Sequence, residues 1–148
     1  MRKFDNYSSA LETLKQAKNQ DLENEFVQSG IIAKFSLQFD RSWKLMKEFL
    51  KYEGDKTAAT DSPREIIKAA YAYYDWMDED VWLQMQRDRN DNVHIYDAAL
   101  AERLVATIIN RYIPEFEHMG WYRDVRIKGD LDYRSPVQYR RDLGLLAA

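Results

Sequence analysis

The sequence predicts an all-α protein: an up-and-down helical bundle with a four-helix core, about five helices in all and a C-terminal tail. Glycine and proline are scarce, with 5 and 3 residues among 148, which favours long helices over many turns. Along most of the chain, apolar side chains recur at the three- and four-residue spacing of a helix face. The 45% hydrophobic content is sufficient for the core of one globular domain.

The composition narrows the classes of function. The net charge of -3 and the pI of about 5.5 argue against a general nucleic-acid coat protein, which would be basic. The absence of cysteine excludes disulfides and thiolate metal sites. The N-terminus has no apolar signal core, and no apolar run is long enough to span a bilayer. We therefore expect a cytoplasmic protein without a membrane partner.

Two long helices are predicted in the first third of the chain. The first runs from about Tyr7 to Gln20, and the second runs from about Asp21 to Tyr52 and ends at Gly54. Within the second helix three aromatic residues stand four apart, which is typical of bundle core: Phe35, Phe39 and Trp43.

Capping residues predict the starts of the remaining helices. Ser62-Pro63 is a strong helix start, with serine as N-cap and proline at the first helical position. Asp78 is predicted to cap a short helix, and Asp97 to cap the last long one. We expect Pro114 to kink or loosen the final turn of that helix, and Gly120 to end it.

After residue 120 the pattern changes. Helical periodicity fades, and arginines alternate with tyrosines, a combination that can bind single-stranded nucleic acid. Because aspartates dilute this positive charge, the favoured interpretation is a tail that lies on the bundle. The predicted organisation is therefore a bundle over residues 1–120 and a C-terminal extension, with irregular structure as one expectation, over residues 121–148.

The polar run 88–97 is the candidate functional segment. Arg89 could hold phosphate as a bidentate donor, and His94 could move a proton near neutral pH. Together they would permit phosphodiester cleavage without a metal ion. Metal binding is disfavoured, since a lone histidine with scattered aspartates lacks ligand spacing. The structural alternative is a polar turn in which His94 packs between helix-capping aspartates, namely Asp88, Asp91 and Asp97. The residues alone leave both interpretations open.

An ordered set of residues resembles a known family. Arg89-Asn90-x-x-x-His94-x-Tyr96-Asp97 precedes a long helix that contains Tyr112-Ile113-Pro114-x-Phe116. With the aromatic stripe of the second helix and the Ser62-Pro63 helix start, this set resembles the HEPN superfamily. More narrowly it is similar to the branch named nucleotidyltransferase substrate-binding proteins.

The resemblance implies a fold, partners and roles. It implies a helical bundle that forms homodimers, with the arginine–histidine motifs of two subunits facing a shared cleft. It also implies a minimal nucleotidyltransferase as partner, the two acting as toxin and antitoxin. In that case Arg89 and His94 would be the catalytic pair of an RNase that needs neither metal nor cofactor. Asn90 would orient the site, and Tyr96 would be the position modified with AMP.

The older name of the family implies an alternative, a binding subunit that presents a substrate to the nucleotidyltransferase and has no activity of its own. Asp91 departs from the family pattern by placing a carboxylate where the family often has an apolar residue, close to where RNA phosphate would lie. Because like charges repel, this departure favours the binding subunit.

Overall fold

A computed structural model describes residues 2–91 and 96–131, with side chains for residues 6–91 and 96–122. Six α-helices occur in these ranges: α1 (Arg2–Leu14), α2 (Glu25–Tyr52), α3 (Pro63–Tyr73), α4 (Glu79–Asn90), α5 (Ala98–Thr107) and α6 (Ile113–Leu131). They are joined by two 3₁₀ turns, Lys15–Asn19 and Lys56–Ala59, and by a π-helical turn, Ile108–Tyr112. Helix α5, the π turn and α6 are continuous, so five helical segments result. The described ranges contain no strand, and the all-α bundle is confirmed.

Helix α2 lies at the centre of the bundle. It packs against α1, α3 and α5, while α6 returns along α1. The aromatic stripe of α2 faces inward, with Phe35 and Phe39 fully buried and Trp43 packed against the core. Phe35 stacks on Tyr112 with ring centroids 5.2 Å apart, which joins α2 to the π turn. The stripe is therefore bundle core, as its spacing predicts. None of the described helices combines the length and apolar character needed to cross a membrane.

Three predicted helix starts are confirmed by capping hydrogen bonds. The Ser62 hydroxyl accepts from the backbone N–H of Glu65, with Pro63 in the first turn of α3. The Asp78 carboxylate caps α4, and the Asp97 carboxylate caps α5 by accepting from two backbone N–H groups. Each cap satisfies donors that a helix start leaves unpaired, which explains why these local signals are reliable.

The first two helix boundaries differ from prediction. Helix α1 begins at Arg2 and gives way to a 3₁₀ turn after Leu14. Helix α2 begins at Glu25 rather than near Asp21, because the Asn24 side chain accepts from the backbone N–H groups of the first turn. An asparagine is among the best N-caps, so this start was readable from the sequence.

The predicted helix end at Gly120 is wrong. Helix α6 continues to Leu131, and Tyr122 is fully buried against Phe49, Tyr74 and Trp76. Burial of this large side chain two residues after the glycine outweighs the modest helix-breaking tendency of glycine. The division at residue 120 into bundle and extension stays a prediction, and residues 132–148 lie outside the described ranges.

Candidate functional site

The last turn of α4 presents the arginine of the polar run. Arg89 Nη2 donates to Asp40 Oδ2, 3.1 Å away on α2, which fixes the guanidinium against the bundle. A cation in the last turn of a helix also interacts favourably with the helix dipole. Both side chains remain about one third exposed, at 38% and 32%. Among the described residues, Arg89 Nε has no hydrogen-bond partner. The guanidinium is thus held by one carboxylate while part of it faces solvent.

The residue before this arginine anchors the same turn from the other side. Tyr112 donates its hydroxyl hydrogen to Asp88 Oδ2 and is itself fully buried. Burial and the hydrogen bond to Asp88 raise the pKa of Tyr112 well above its ordinary value. Tyr112 therefore remains a protonated donor throughout the neutral range and ties the end of α4 to the π turn.

The π turn has a local cause in the sequence. Pro114 has no N–H, and its ring would clash with the carbonyl of Asn110, so a regular α-turn cannot continue through it. The chain widens instead, and the Ile113 N–H bonds to the carbonyl of Ile108, five residues back. The disturbance predicted at Pro114 takes the form of this wide turn. Such turns inside α-helices are frequent at functional sites.

Of the other three predicted site residues, the structure describes Asn90 and Tyr96 but not His94. Asn90 is the exposed last residue of α4. Tyr96 is 87% exposed and directly precedes the cap of α5. His94 lies outside the described residues, so the pairing of Arg89 with His94 stays a prediction. The structure brings Arg89, Asp40 and the Asp88–Tyr112 pair together.

The interpretation of the polar run as a turn with helix-capping aspartates explains some of its residues. Asp97 caps α5, and Asp88 holds Tyr112 rather than capping a helix. Asp91 is the C-cap residue of α4, where its backbone N–H bonds to the carbonyl of Arg87. These roles explain the aspartates and leave the exposed guanidinium of Arg89 unexplained by packing alone.

Two residues of this site were missed by sequence reasoning. Asp40 is the only carboxylate between Phe26 and Lys47, a stretch that otherwise carries basic side chains, and this isolation is a readable signal. Tyr112 had no such signal, because its position in an apolar helix predicts burial but not a polar partner. Tyr112 lies in the π turn, and its partner Asp88 is 24 residues earlier in the chain, so no local pattern specifies the pair.

Arg89 contacts one aspartate and is close to two others in the sequence. Asp40 contacts it, Asp88 precedes it in the same turn, and Asp91 is exposed two residues later. An incoming phosphate would therefore meet the carboxylate of Asp40 at the guanidinium. In the described ranges no group of three or more acidic or histidine side chains is placed to hold a metal ion.

Comparison with known proteins gives one family. The model of a family described as nucleotidyltransferase substrate binding protein like matches residues 2–121. The matched region contains Asp40, the whole of α4 and the π turn, and so includes the entire candidate site. No curated protein matches the chain.

Proposed function

Because the chain belongs to the nucleotidyltransferase substrate binding protein like family, the HEPN-type branch, we propose that it is a non-catalytic binding subunit of a nucleotidyltransferase. In this role the bundle binds the enzyme and presents a substrate to it, without carrying out chemistry itself. The expected enzyme is a minimal nucleotidyltransferase, the partner that the resemblance implies.

The ion pair between Arg89 and Asp40 is the observation that carries this proposal. An RNase of this kind needs an arginine that is free to bind the charge developing on phosphate. Here a carboxylate 3.1 Å away already uses part of that guanidinium. Two like unit charges about 4 Å apart, such as those of a phosphate and a carboxylate, repel by roughly 1 kcal/mol in water and about 4 kcal/mol near a protein surface. Phosphate would have to displace Asp40 or bind beside it, and either event weakens binding.

The exposed Tyr96, just before α5, supports partner binding. Tyr96 projects into solvent with 87% of its surface exposed, next to the exposed Asp97. Tyrosines with such exposure are frequent anchors of protein interfaces, because they bury a large area at a small cost in conformational entropy. We therefore propose that Tyr96 contacts the nucleotidyltransferase. The same exposure supports the AMP modification that the resemblance implies: the phenolic oxygen would attack the α-phosphorus of ATP, pyrophosphate would leave, and the phenolic proton would pass to a base.

A metal-independent RNase toxin is the second candidate, and one observation favours it. The Arg89 side chain is 38% exposed, so a phosphate can approach the guanidinium beside Asp40. In this candidate His94 would deprotonate the ribose 2′-hydroxyl or protonate the leaving oxygen, and Arg89 would stabilise the charge on phosphate. Asn90, exposed beside Arg89, would orient the substrate. The homodimer that the resemblance implies belongs to this candidate, since it places two such motifs on one cleft.

RNA cleavage in the presence of a chelator separates the two candidates. The purified full chain is incubated with total RNA and EDTA, alone and with a minimal nucleotidyltransferase. We expect intact RNA and a stable complex of the two proteins. Cleavage by the wild type that is abolished in Arg89→Ala and His94→Ala, but retained in Tyr71→Phe, would establish the RNase instead. Tyr71 is a suitable control because it is a half-exposed side chain on α3, away from the candidate site.

A further inference from the structure

The solvent side of α2 carries a row of basic side chains. Lys34, Arg41 and Lys44 stand at the spacing that places them on one face of the helix, with Leu37 between them. Lys34, Leu37 and Lys44 are exposed, and Arg41 is half-buried. We call these four residues the α2 basic row. Among the described residues, none of its three cations forms an ion pair.

Three acidic side chains flank the row. Asp40 and Glu48 lie on α2 itself, and Glu12 lines the groove between α1 and α2 together with Lys34. Each of them pairs with a cation outside the row: Asp40 with Arg89, Glu48 with Lys51 and Glu12 with Lys15. The row therefore presents three positive charges to solvent on a chain whose net charge is -3.

A small recess opens beside the row, where α1 packs on α2. It has a volume of about 100 Å³ and is lined by Asn6, Arg41, Lys44 and Leu45. The first three side chains carry N–H donors, whereas Leu45 is apolar and buried. A glutamate side chain combines a carboxylate with two methylene groups, and this combination matches the lining better than a bare phosphate does.

The middle of the row is apolar. Leu37 is 56% exposed and lies between the cations rather than at the edge of the row. A surface for single-stranded nucleic acid combines basic groups with aromatic side chains on which bases stack, and none of the four residues is aromatic. A partner helix with an apolar side chain between carboxylates complements the row in both charge and polarity.

We propose that an acidic amphipathic helix of the partner nucleotidyltransferase docks along the α2 basic row. Its carboxylates pair with Lys34, Arg41 and Lys44, one of them entering the recess, and its apolar side chain packs on Leu37. At about 1.5 Å per residue the row covers about 15 Å of α2, which about three turns of a partner helix match. The inference rests on the proposed function and names the surface that the enzyme recognises.

The row is continuous with the candidate site. Asp40, which accepts the hydrogen bond from Arg89, directly precedes Arg41 and lies one turn before Lys44. An enzyme seated on the row would thus lie beside the end of α4. This position suits a subunit that presents a substrate to the enzyme.

Isothermal titration calorimetry with a minimal nucleotidyltransferase tests the docking surface. We expect Arg41→Glu/Lys44→Glu to lower the affinity by at least roughly tenfold, because two attractive contacts become repulsive. Arg64→Glu/Lys68→Glu is the matched control: it makes the same change in net charge at two exposed positions of α3 and should bind like the wild type. Thermal melts followed by circular dichroism verify that each variant is folded. The milder Arg41→Gln/Lys44→Gln, expected to bind at least about threefold more weakly, replaces the reversal variant if that variant does not fold.

Cross-linking of the complex identifies the chemistry of the occupant. A carbodiimide activates a carboxylate, which then forms an amide with an ammonium group in contact with it. Mass spectrometry should find Lys34 or Lys44 joined to an aspartate or glutamate of the enzyme. Lys68, on α3, should remain unlinked.

The outcomes separate the docking surface from the proposed function. Equal affinity of the wild type and Arg41→Glu/Lys44→Glu would overturn the docking surface while enzyme binding stands. The absence of binding by the folded wild type would overturn both. A single-stranded RNA that binds the wild type but not this variant, with enzyme affinity unchanged, would assign the row to nucleic acid and also overturn the proposal.

Discussion

The two ends of α4 use polar groups in different ways. At its N-terminal end, Glu115 is buried to 5% exposure, and its Oε1 accepts from the backbone N–H of Asp78 and from Trp82 Nε1, both at 2.9 Å. At its C-terminal end, Arg89 donates one hydrogen bond within the described part of the chain, to Asp40, and both side chains are about one third exposed. One helix therefore carries a closed polar network and an open ion pair.

This contrast distinguishes polar groups that stabilise the fold, such as Glu115, from polar groups that are accessible to a partner, such as Arg89. A buried carboxylate is tolerated only when hydrogen bonds replace the lost water, and Glu115 meets this condition with two donors and the nearby His118. A partly exposed ion pair contributes little to stability, because water and salt screen it. The Arg89–Asp40 pair at the end of α4 therefore adds little to folding and remains accessible to a partner.

Removing Glu115 from the buried network at the N-terminal end of α4 should have the largest effect on stability. Glu115→Ala leaves the N–H groups of Asp78 and Trp82 without an acceptor, and each hydrogen bond to a charged group contributes roughly 1.5–3 kcal/mol. We expect the free energy of unfolding in urea to fall by about 3 kcal/mol or more. Glu117→Ala, an exposed position on the same helix, is the control and should change it by less than about 0.5 kcal/mol. Equal losses in the two variants would contradict the distinction between closed and open ends.

Removing the hydroxyl of Tyr112 should have an intermediate effect. Tyr112→Phe keeps the ring stacked on Phe35 but leaves Asp88 without this donor, at an expected cost of about 1–2 kcal/mol in the free energy of unfolding. Because the fold raises the pKa of Tyr112 above the unfolded value of 10.0, the contribution is complete below that pH and declines as the pH rises past it. The difference in the free energy of unfolding between wild type and Tyr112→Phe, measured by urea unfolding, should thus be constant from about pH 6 to about pH 9. A difference that grows with pH would contradict the raised pKa.

Neutralising Asp40 should affect stability least and ligand binding most. Asp40→Asn is expected to lower the free energy of unfolding by less than about 1 kcal/mol, since the ion pair is partly exposed. By releasing the guanidinium of Arg89, it should raise the affinity for inorganic phosphate by roughly three- to tenfold in an NMR titration. Asp61→Asn removes the same charge from an exposed ion pair with Lys47 and should leave phosphate affinity unchanged. Equal phosphate affinity in Asp40→Asn and wild type would show that Asp40 does not restrain Arg89.

The sequence predicted local features better than long-range ones. Ser62, Asp78 and Asp97 were assigned correctly as caps because the capping signal depends on a few neighbouring residues. The Arg89–Asp40 pair joins residues 49 apart, and no local rule specifies such a partner. Similarly, Pro114 indicates a disturbed helix but not the direction in which the next turn rotates.

The prediction that the last helix ends at Gly120 was wrong for a related reason. Glycine weakens a helix by about 1 kcal/mol, which is a local term. The burial of Tyr122 against α2 and α3 depends on tertiary packing and exceeds that cost. The sequence thus identified the candidate segment, while its acidic surroundings and its anchoring by Tyr112 required the structure.

Isothermal titration calorimetry with a minimal nucleotidyltransferase, the enzyme proposed as partner, tests the central claim most directly. The proposal predicts saturable binding by the wild type, the same affinity for His94→Ala, and an affinity at least roughly tenfold lower for Tyr96→Ala, an expected interface anchor. Ser9→Ala, an exposed position on α1, should bind like the wild type. The absence of binding by the folded wild-type chain would contradict its assignment as a nucleotidyltransferase-binding subunit.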